Sequence, residues 1–351
     1  MRRAEAARAA EKSTSSYRGR LAPTPTGLLH VGHARTFWTA SQRAREAGGT
    51  LILRMDDLDP ERSREEFAEA AMEDLRWLGI RWQEGPDRSG DKGGKFGPYQ
   101  QSRRQAMYAA ALHKLIRRGF VYPCRCTRRE LAQVALAPHE GQPGAGRGVG
   151  RGPDRGLDRG LDRGLDRGVE VDEDLIYPGT CRTFDVELAQ LPGPNSERML
   201  PERVNWRFRV PDGVAVEFVD QNLGPQRFVA GVDFGDFLVW RRDNVASYQL
   251  ATVVDDGMME ISEVVRGADL LKSAARQMLL FRALGYAAPN WYHCELVADH
   301  NGQRLAKRHD ALALRVLRQR GLTPMNVLSA EVPTVAASDG RAQTSARLGA
   351  G

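Results

Sequence analysis

The sequence predicts an α/β fold with a parallel sheet, divided by one long insertion. Three observations predict it. Between residues 18 and 118, short apolar runs alternate with segments of helical periodicity, the succession that builds parallel strands joined by crossover helices. A turn cluster, Pro23-Thr24-Pro25-Thr26-Gly27, separates the first strand from the first helix. The alternation breaks after Tyr122 and resumes at Asn205, so a segment of different composition splits the core.

Arg20-Leu21-Ala22 reads as the end of a short strand. Helical composition follows over about residues 32–47, and 50–55 is a short apolar strand. A second helix covers about 63–78, with Phe67, Ala71, Leu75 and Leu78 on one face, and a third covers about 102–118. Residues 132–170 are rich in Gly, Arg, Asp and Pro, and Gly-Leu-Asp-Arg repeats three times from Gly156 to Arg167. That period is too short for a solenoid unit. Balanced charge and few large apolar groups predict a flexible insertion, with contact to RNA as its alternative role. Beyond it, 205–210 and 214–219 alternate as strands, while 237–241, 250–254 and 291–297 are further strand expectations. Residues 270–284 read as a helix, and one helix follows His309 to about residue 320. The chain then divides into a disordered tail (1–17), the first half of the core (18–120), an insertion (121–230), the second half (231–325) and a C-terminal tail (326–351).

With 351 residues, 41% of them hydrophobic, the chain can bury a sizeable core. No run approaches the roughly 18 apolar residues of a membrane helix, and the basic, Ala-rich N-terminus has no apolar stretch of a secretory signal. A cytoplasmic, monomeric protein with no membrane partner is expected. The net charge of +6 suits a polyanion such as nucleic acid, although 51 basic and 45 acidic residues mostly describe a solvated surface. Four cysteines in a chain of this length argue against a disulfide framework.

Two constellations carry chemistry. In the first, the turn after the opening strand delivers His30 and His33, with Gly32 between them, to the start of a helix. A helix N-terminus presents free N–H groups and a positive dipole end, which suits phosphate. The imidazoles add hydrogen-bonding groups, and Gly32 permits close backbone approach. In the second, Cys124 and Cys126 open the insertion and Cys181 closes it. Three thiolates and a fourth ligand suit tetrahedral zinc, and residue chemistry alone offers His139 or His293 as the fourth.

Arg20 to Thr36, containing His30-Val31-Gly32-His33, resembles the first signature of class I glutamyl-tRNA synthetases. Leu53 to Asp59 resembles the acidic strand-end segment that follows in that family. The Tyr248-Gln249-Leu250-Ala251 and Val264 to Leu271 blocks resemble two later ones, and Arg304-Leu305-Ala306-Lys307-Arg308 stands where the second signature belongs. The blocks keep the family's order over residues 20–310. The resemblance implies a Rossmann-like class I aminoacyl-tRNA synthetase core that joins a carboxylate to ATP. His30, Gly32, His33 and Lys307 would meet the nucleotide, with Mg2+ arriving alongside it. Arg20, Leu21, Ala22, Pro23, Thr24, Asp56, Tyr248 and Arg266 would form the glutamate site: the guanidiniums for the carboxylates, Asp56 for the ammonium and Tyr248 as a wall.

The departures are Thr24 for the commoner Ser, Asp56 for a frequent Glu, and Arg304 and Ala306 for the usual Lys and Ser. Loss of that serine hydroxyl predicts slower activation. Cys124-x-Cys126 followed by Tyr177-x-x-x-Cys181 resembles the zinc set of the glutamyl-queuosine tRNA(Asp) synthetases, a shortened paralogous family, which makes Tyr177 the fourth ligand. Only about 40 residues follow Lys307, too few for an anticodon-binding domain, and this fits the shortened family. The implied partners are ATP, L-glutamate and tRNA(Asp) bearing queuosine. The rivals are a truncated enzyme charging tRNA(Glu), a nucleotidyltransferase sharing only the histidine motif, and a catalytically silent RNA-binding module.

Overall fold

A computed structural model of the chain describes residues 17–88, 93–127, 130–131, 176–183, 204–296 and 313–329. The N-terminal segment, the Gly-Leu-Asp-Arg repeats, His139, the Lys307 signature and the C-terminal segment lie outside the described residues. No helix among the described residues is long and apolar enough to cross a membrane.

The chain opens with β1 (Arg18–Leu21), α1 (Val31–Glu46), β2 (Thr50–Leu53), α2 (Glu65–Trp77), α3 (Gln105–Arg117) and β3 (Val121–Cys124). Four strands follow: β4 (Asn205–Phe208), β5 (Ala215–Asp220), β6 (Gly224–Val229) and β7 (Phe237–Trp240). Then come α4 (Tyr248–Met258), β8 (Glu263–Gly267), α5 (Leu271–Leu284), β9 (Asn290–Cys294), α6 (Leu314–Gln319) and α7 (Pro324–Leu328).

β1 and β2 pair in parallel, with α1 as their crossover. α1 buries Val31, Ala34, Phe37, Ala40 and Ala44, a spacing that makes one helix face apolar. β8, β9 and β5 run parallel in the order β6-β5-β9-β8, and β6 returns antiparallel to β5. Two strands of the expected insertion, β5 and β6, therefore belong to the same sheet as β8 and β9. β3, β4 and β7 form a separate antiparallel sheet. The sheets are mixed, where the sequence predicts parallel pairing, because the β5–β6 hairpin extends the parallel unit and β3, β4 and β7 form an antiparallel sheet of their own.

β8 lies beside β1. Ser262 N–H donates to Arg18 O at 2.9 Å, and Arg20 Nη1 donates to Val265 O at 3.1 Å, so the two strands run the same way. Successive side chains of a strand point to opposite faces. Val264 accordingly enters a core built on α3, α4 and α5, while Val265 enters a core built on α1, α2 and α6. β2 does the same, with Ile52 in the first core and Leu51 and Leu53 in the second.

Two expectations are corrected. Residues 250–254 lie in a helix, α4. Ser247 Oγ caps its start by accepting from Leu250 N–H, and the run reads as uniformly apolar because Gln249 through Asp256 are all buried. The single helix expected after His309 is two. Gly321, at φ 83°, takes a left-handed conformation that closes α6, and Thr323 with Pro324 at the first turn opens α7.

Candidate active site and metal centre

His30 is the N-cap of α1, in extended backbone geometry. Its Nδ1 accepts from Gly32 N–H at 3.1 Å, and His33 Nδ1 accepts from His30 N–H at 3.3 Å. A ring nitrogen that accepts carries no proton, so each neutral ring holds its proton on Nε2. The ring centroids are 3.8 Å apart. A Cβ at Gly32 would come to 3.0 Å from the His30 ring, so the glycine makes room for the cap itself. The result is a helix N-terminus with two imidazoles side by side, suited to an anion.

Next to this turn, Arg54 N–H donates to Leu21 O at 2.9 Å and Asp56 N–H donates to Pro23 O at 3.0 Å. These bonds zip the chain beyond β1 to the chain beyond β2, with Ala22 half-buried and Thr24 exposed. Arg54, wholly buried, donates to Asp56 at 2.7 Å and 3.3 Å and to Asp256 at 2.6 Å. Arg20 Nε lies 3.4 Å from Asp256. Asp255 takes Arg104 at 2.6 Å, Gln101 at 2.8 Å and Tyr108. Burial opposes the Arg54 charge, but Asp56, Asp256 and Asp255 outweigh it and hold the guanidinium well above its ordinary pKa. Burial also pushes the Asp56 carboxyl up to about 6, against the pull of Arg54.

Arg266 ends β8 and is buried beside Arg20. Its Nη1 donates to Gln277 Oε1 at 2.8 Å and to the Tyr248 hydroxyl at 3.4 Å, and Nη2 donates to Leu270 O at 3.1 Å. Arg20, Asp56, Tyr248 and Arg266 thus converge where β1, β2 and β8 end, the edge at which open α/β sheets take ligands.

Cys124, Cys126 and Cys181 place their sulfurs within 4.8 Å of one another. The Tyr177 hydroxyl lies 3.4 Å from Cys124 Sγ and 3.5 Å from Cys126 Sγ, and Cys126 Sγ lies 3.5 Å from Cys181 Sγ. Tetrahedral zinc, at ~2.3 Å from sulfur and ~2.1 Å from oxygen, requires ligand separations of roughly 3.5–3.8 Å. Three sulfurs and one oxygen at this spacing fit such an ion. Burial pushes the Cys126 thiol up to about 11. Burial opposes ionisation of Cys181 as well, but hydrogen bonds from Tyr177 and the Arg125 backbone outweigh it there and hold Cys181 below the usual thiol value. Arg207 flanks the cluster, with Nε donating to Cys124 Sγ at 3.4 Å and its guanidinium 4.0 Å from the Tyr177 ring centroid. His293 sits elsewhere, on β9 against Asp220 and Arg266.

The family model for the catalytic domain of class I tRNA synthetases of the E and Q type matches residues 16–143 and 195–332. The glutamyl-Q tRNA(Asp) synthetase of Nitratidesulfovibrio vulgaris is 44% identical over 88% of this chain and 83% of its own length. The chain belongs to the glutamyl-Q tRNA(Asp) synthetases, within class I. The Symbiobacterium thermophilum member of that family is 43% identical over 88% of this chain and 84% of its own. Among solved structures, a glutamate tRNA ligase from Elizabethkingia meningosepticum, in complex with its amino acid, superposes with a TM-score of 0.64 at 27% identity. The match covers 88% of this chain and 54% of that one, so the chain spans about half the length of that ligase.

Of the sequence-derived residues, Arg20, Asp56, Tyr248 and Arg266 stand around the ends of β1, β2 and β8, and His30, Gly32 and His33 form the start of α1, while Lys307 lies outside the described residues. Sequence reasoning misses Asp255, Asp256, Asp220 and the role of His293. The first two directly follow the run expected as a strand, 250–254. A helical reading of that run, with its Asp255-Asp256 pair beside an apolar face, is the signal that finds them.

Proposed function

We propose that this chain activates L-glutamate with ATP, without tRNA, and transfers it to queuosine in the anticodon loop of tRNA(Asp). The observation that carries this reading is that Arg20 on β1 and Arg266 on the neighbouring β8 are both buried, with buried Asp56 just beyond the end of β2. Two guanidiniums and a carboxylate complement a molecule with two carboxylates and one ammonium. The Glu-specific relatives support the same substrate.

In the proposed reaction, the α-carboxylate oxygen of glutamate attacks the α-phosphorus of ATP. The bond to the bridging oxygen breaks, giving glutamyl-adenylate and pyrophosphate. Charge gathers on the phosphate oxygens, where the Nε2–H groups of His30 and His33, the start of α1, Lys307 and the Mg2+ that accompanies ATP would act. Arg20 and Arg266 hold the carboxylates and Asp56 receives the ammonium. A hydroxyl of queuosine then attacks the activated carbonyl, and AMP leaves. Zinc held by Cys124, Cys126, Tyr177 and Cys181 would have a structural role, tying β3 to the segment around Cys181.

The test is ATP–pyrophosphate exchange with glutamate, with and without tRNA. Exchange without tRNA supports the proposal. Exchange that appears only with tRNA(Glu) assigns the chain to translational charging instead, and exchange with a different amino acid overturns the substrate.

A further inference from the structure

Arg266 has one neighbour that no part of the activation reaction uses. Its Nε donates to His293 Nε2 at 3.1 Å, and His293 Nδ1 lies 2.6 Å from Asp220 Oδ2. The three residues stand on the adjacent strands β8, β9 and β5. His293 is fully buried, with Asp220 at 1% and Arg266 at 5% exposure. We propose that His293 and Asp220 are positioning residues for Arg266, fixing which edge of its guanidinium faces the substrate carboxylate. This rests on the reading that Arg266 binds a carboxylate of glutamate.

A guanidinium has five N–H donors and accepts from nothing, so His293 Nε2 must be the acceptor in its contact with Arg266. The proton of the neutral ring is therefore on Nδ1, where Asp220 receives it. Asp220 is itself anchored: its Oδ1 accepts from Asn222 N–H at 3.0 Å and Leu223 N–H at 2.9 Å, in the turn between β5 and β6. Burial opposes the Asp220 charge, but these bonds and the His293 bond outweigh it and keep the carboxyl below its usual range. Burial and the facing Arg266 hold the imidazole down to about 4, so the ring is neutral at physiological pH.

The donor count shows what this arrangement does. Nε goes to His293, one Nη2 proton to Leu270 O, and the Nη1 protons to Gln277 Oε1 and, at the longer 3.4 Å, to Tyr248. Trp291 stacks under the guanidinium, 4.7 Å from its centroid. Four of the five N–H donors are thus engaged, which leaves the second Nη2 proton and the long Tyr248 side for a carboxylate, and the bond from Nε to His293 resists rotation of the group. A long, flexible side chain thereby becomes a fixed donor, and the entropy of ordering it falls outside the binding step.

The test uses the full chain in ATP–pyrophosphate exchange, with glutamate and ATP varied separately, alongside thermal melts. His293→Asn keeps a donor for Asp220 but has no acceptor that reaches Arg266. His293→Gln carries an amide acceptor at nearly the reach of Nε2. The expected result is a glutamate KM raised about tenfold or more for His293→Asn, the worth of a hydrogen bond to a charged group. The KM for ATP stays unmoved, and His293→Gln recovers much of the loss. Equal damage to both KM values, or a wild-type glutamate KM for His293→Asn while Arg266→Leu is impaired, overturns the proposal. An Arg266→Leu variant with unchanged glutamate KM overturns the carboxylate assignment beneath it. Side-chain 15N NMR of the unmodified protein at neutral pH gives a reading that needs no variant. A neutral ring protonated on Nδ1 is expected, and a proton on Nε2 refutes the relay.

Discussion

Arg54 donates to Asp256 at 2.6 Å across 202 residues of sequence, tying the end of β2 to α4. Removing this guanidinium strands Asp56 in a buried site and leaves Asp256 only the longer contact to Arg20, while Asp255 keeps Arg104. Arg54→Met is expected to destabilise the fold by roughly 3–5 kcal/mol, measured by urea unfolding. Arg54→Lys recovers only part of this, because an ammonium cannot reproduce the fork that serves Asp56 and Asp256 together.

The two imidazoles at the start of α1 can be separated into cap and catalyst. Asn is as good an N-cap as any residue, so His30→Asn keeps the cap while losing the Nε2–H. The melting temperature should hold and the exchange kcat should fall ~100- to 1000-fold, the effect of deleting one donor to developing charge. A variant that loses stability instead would make the histidine a cap and nothing more.

Asp74, on α2, is buried with no hydrogen-bond partner for either oxygen among the described residues. Burial pushes its carboxyl up to about 6, although Arg315 and Arg318 pull the other way. A folded-state value above the unfolded ~3.9 means that the folded chain holds this proton longer. The group therefore costs nothing below about pH 4, and its cost grows as pH rises to about 6. Asp74→Asn should gain about 2 kcal/mol on the parent between pH 4 and pH 7, followed by urea midpoints at both. A difference that does not change with pH would refute this.

Elemental analysis is expected to find one zinc per chain, and Cys181→Ser or a strong chelator should remove it and lower the melting temperature. Arg207 offsets negative charge on the thiolates. Arg207→Met is expected to weaken zinc binding ~10- to 100-fold by competition with a chromophoric chelator.

The strands and helices that show one clear period are legible in the sequence. α1, α2, α3 and α5 each stand within a few residues of their expected bounds. α4 is hard to read because its middle, 250–254, looks like an apolar strand and its polar stripe, Gln249, Thr252 and Asp256, is buried rather than solvent-facing. The site divides in the same way. His30, His33, Arg20 and Arg266 are findable because they sit in short local motifs. Asp220 and His293 are far apart in sequence, and each is an ordinary residue until the strand order β5-β9-β8 brings them together. The Arg54 ladder is hidden for the same reason, since its partners lie on elements separated by the whole insertion.

The parallel strands of the core are laddered on either side of β1 and β8, yet no ladder joins those two strands among the described residues. One backbone bond from Ser262 and a set of side chains hold them: Arg20 to Val265 O, and Glu263 to Tyr17 and Arg43. Arg20 stands on one side of this join, on β1, and Arg266 on the other, on β8. A join made of side chains can open by a few torsions and reclose without breaking a strand pair. In the proposed complex, a glutamate held by Arg20 and Arg266 would add bonds of its own across this join.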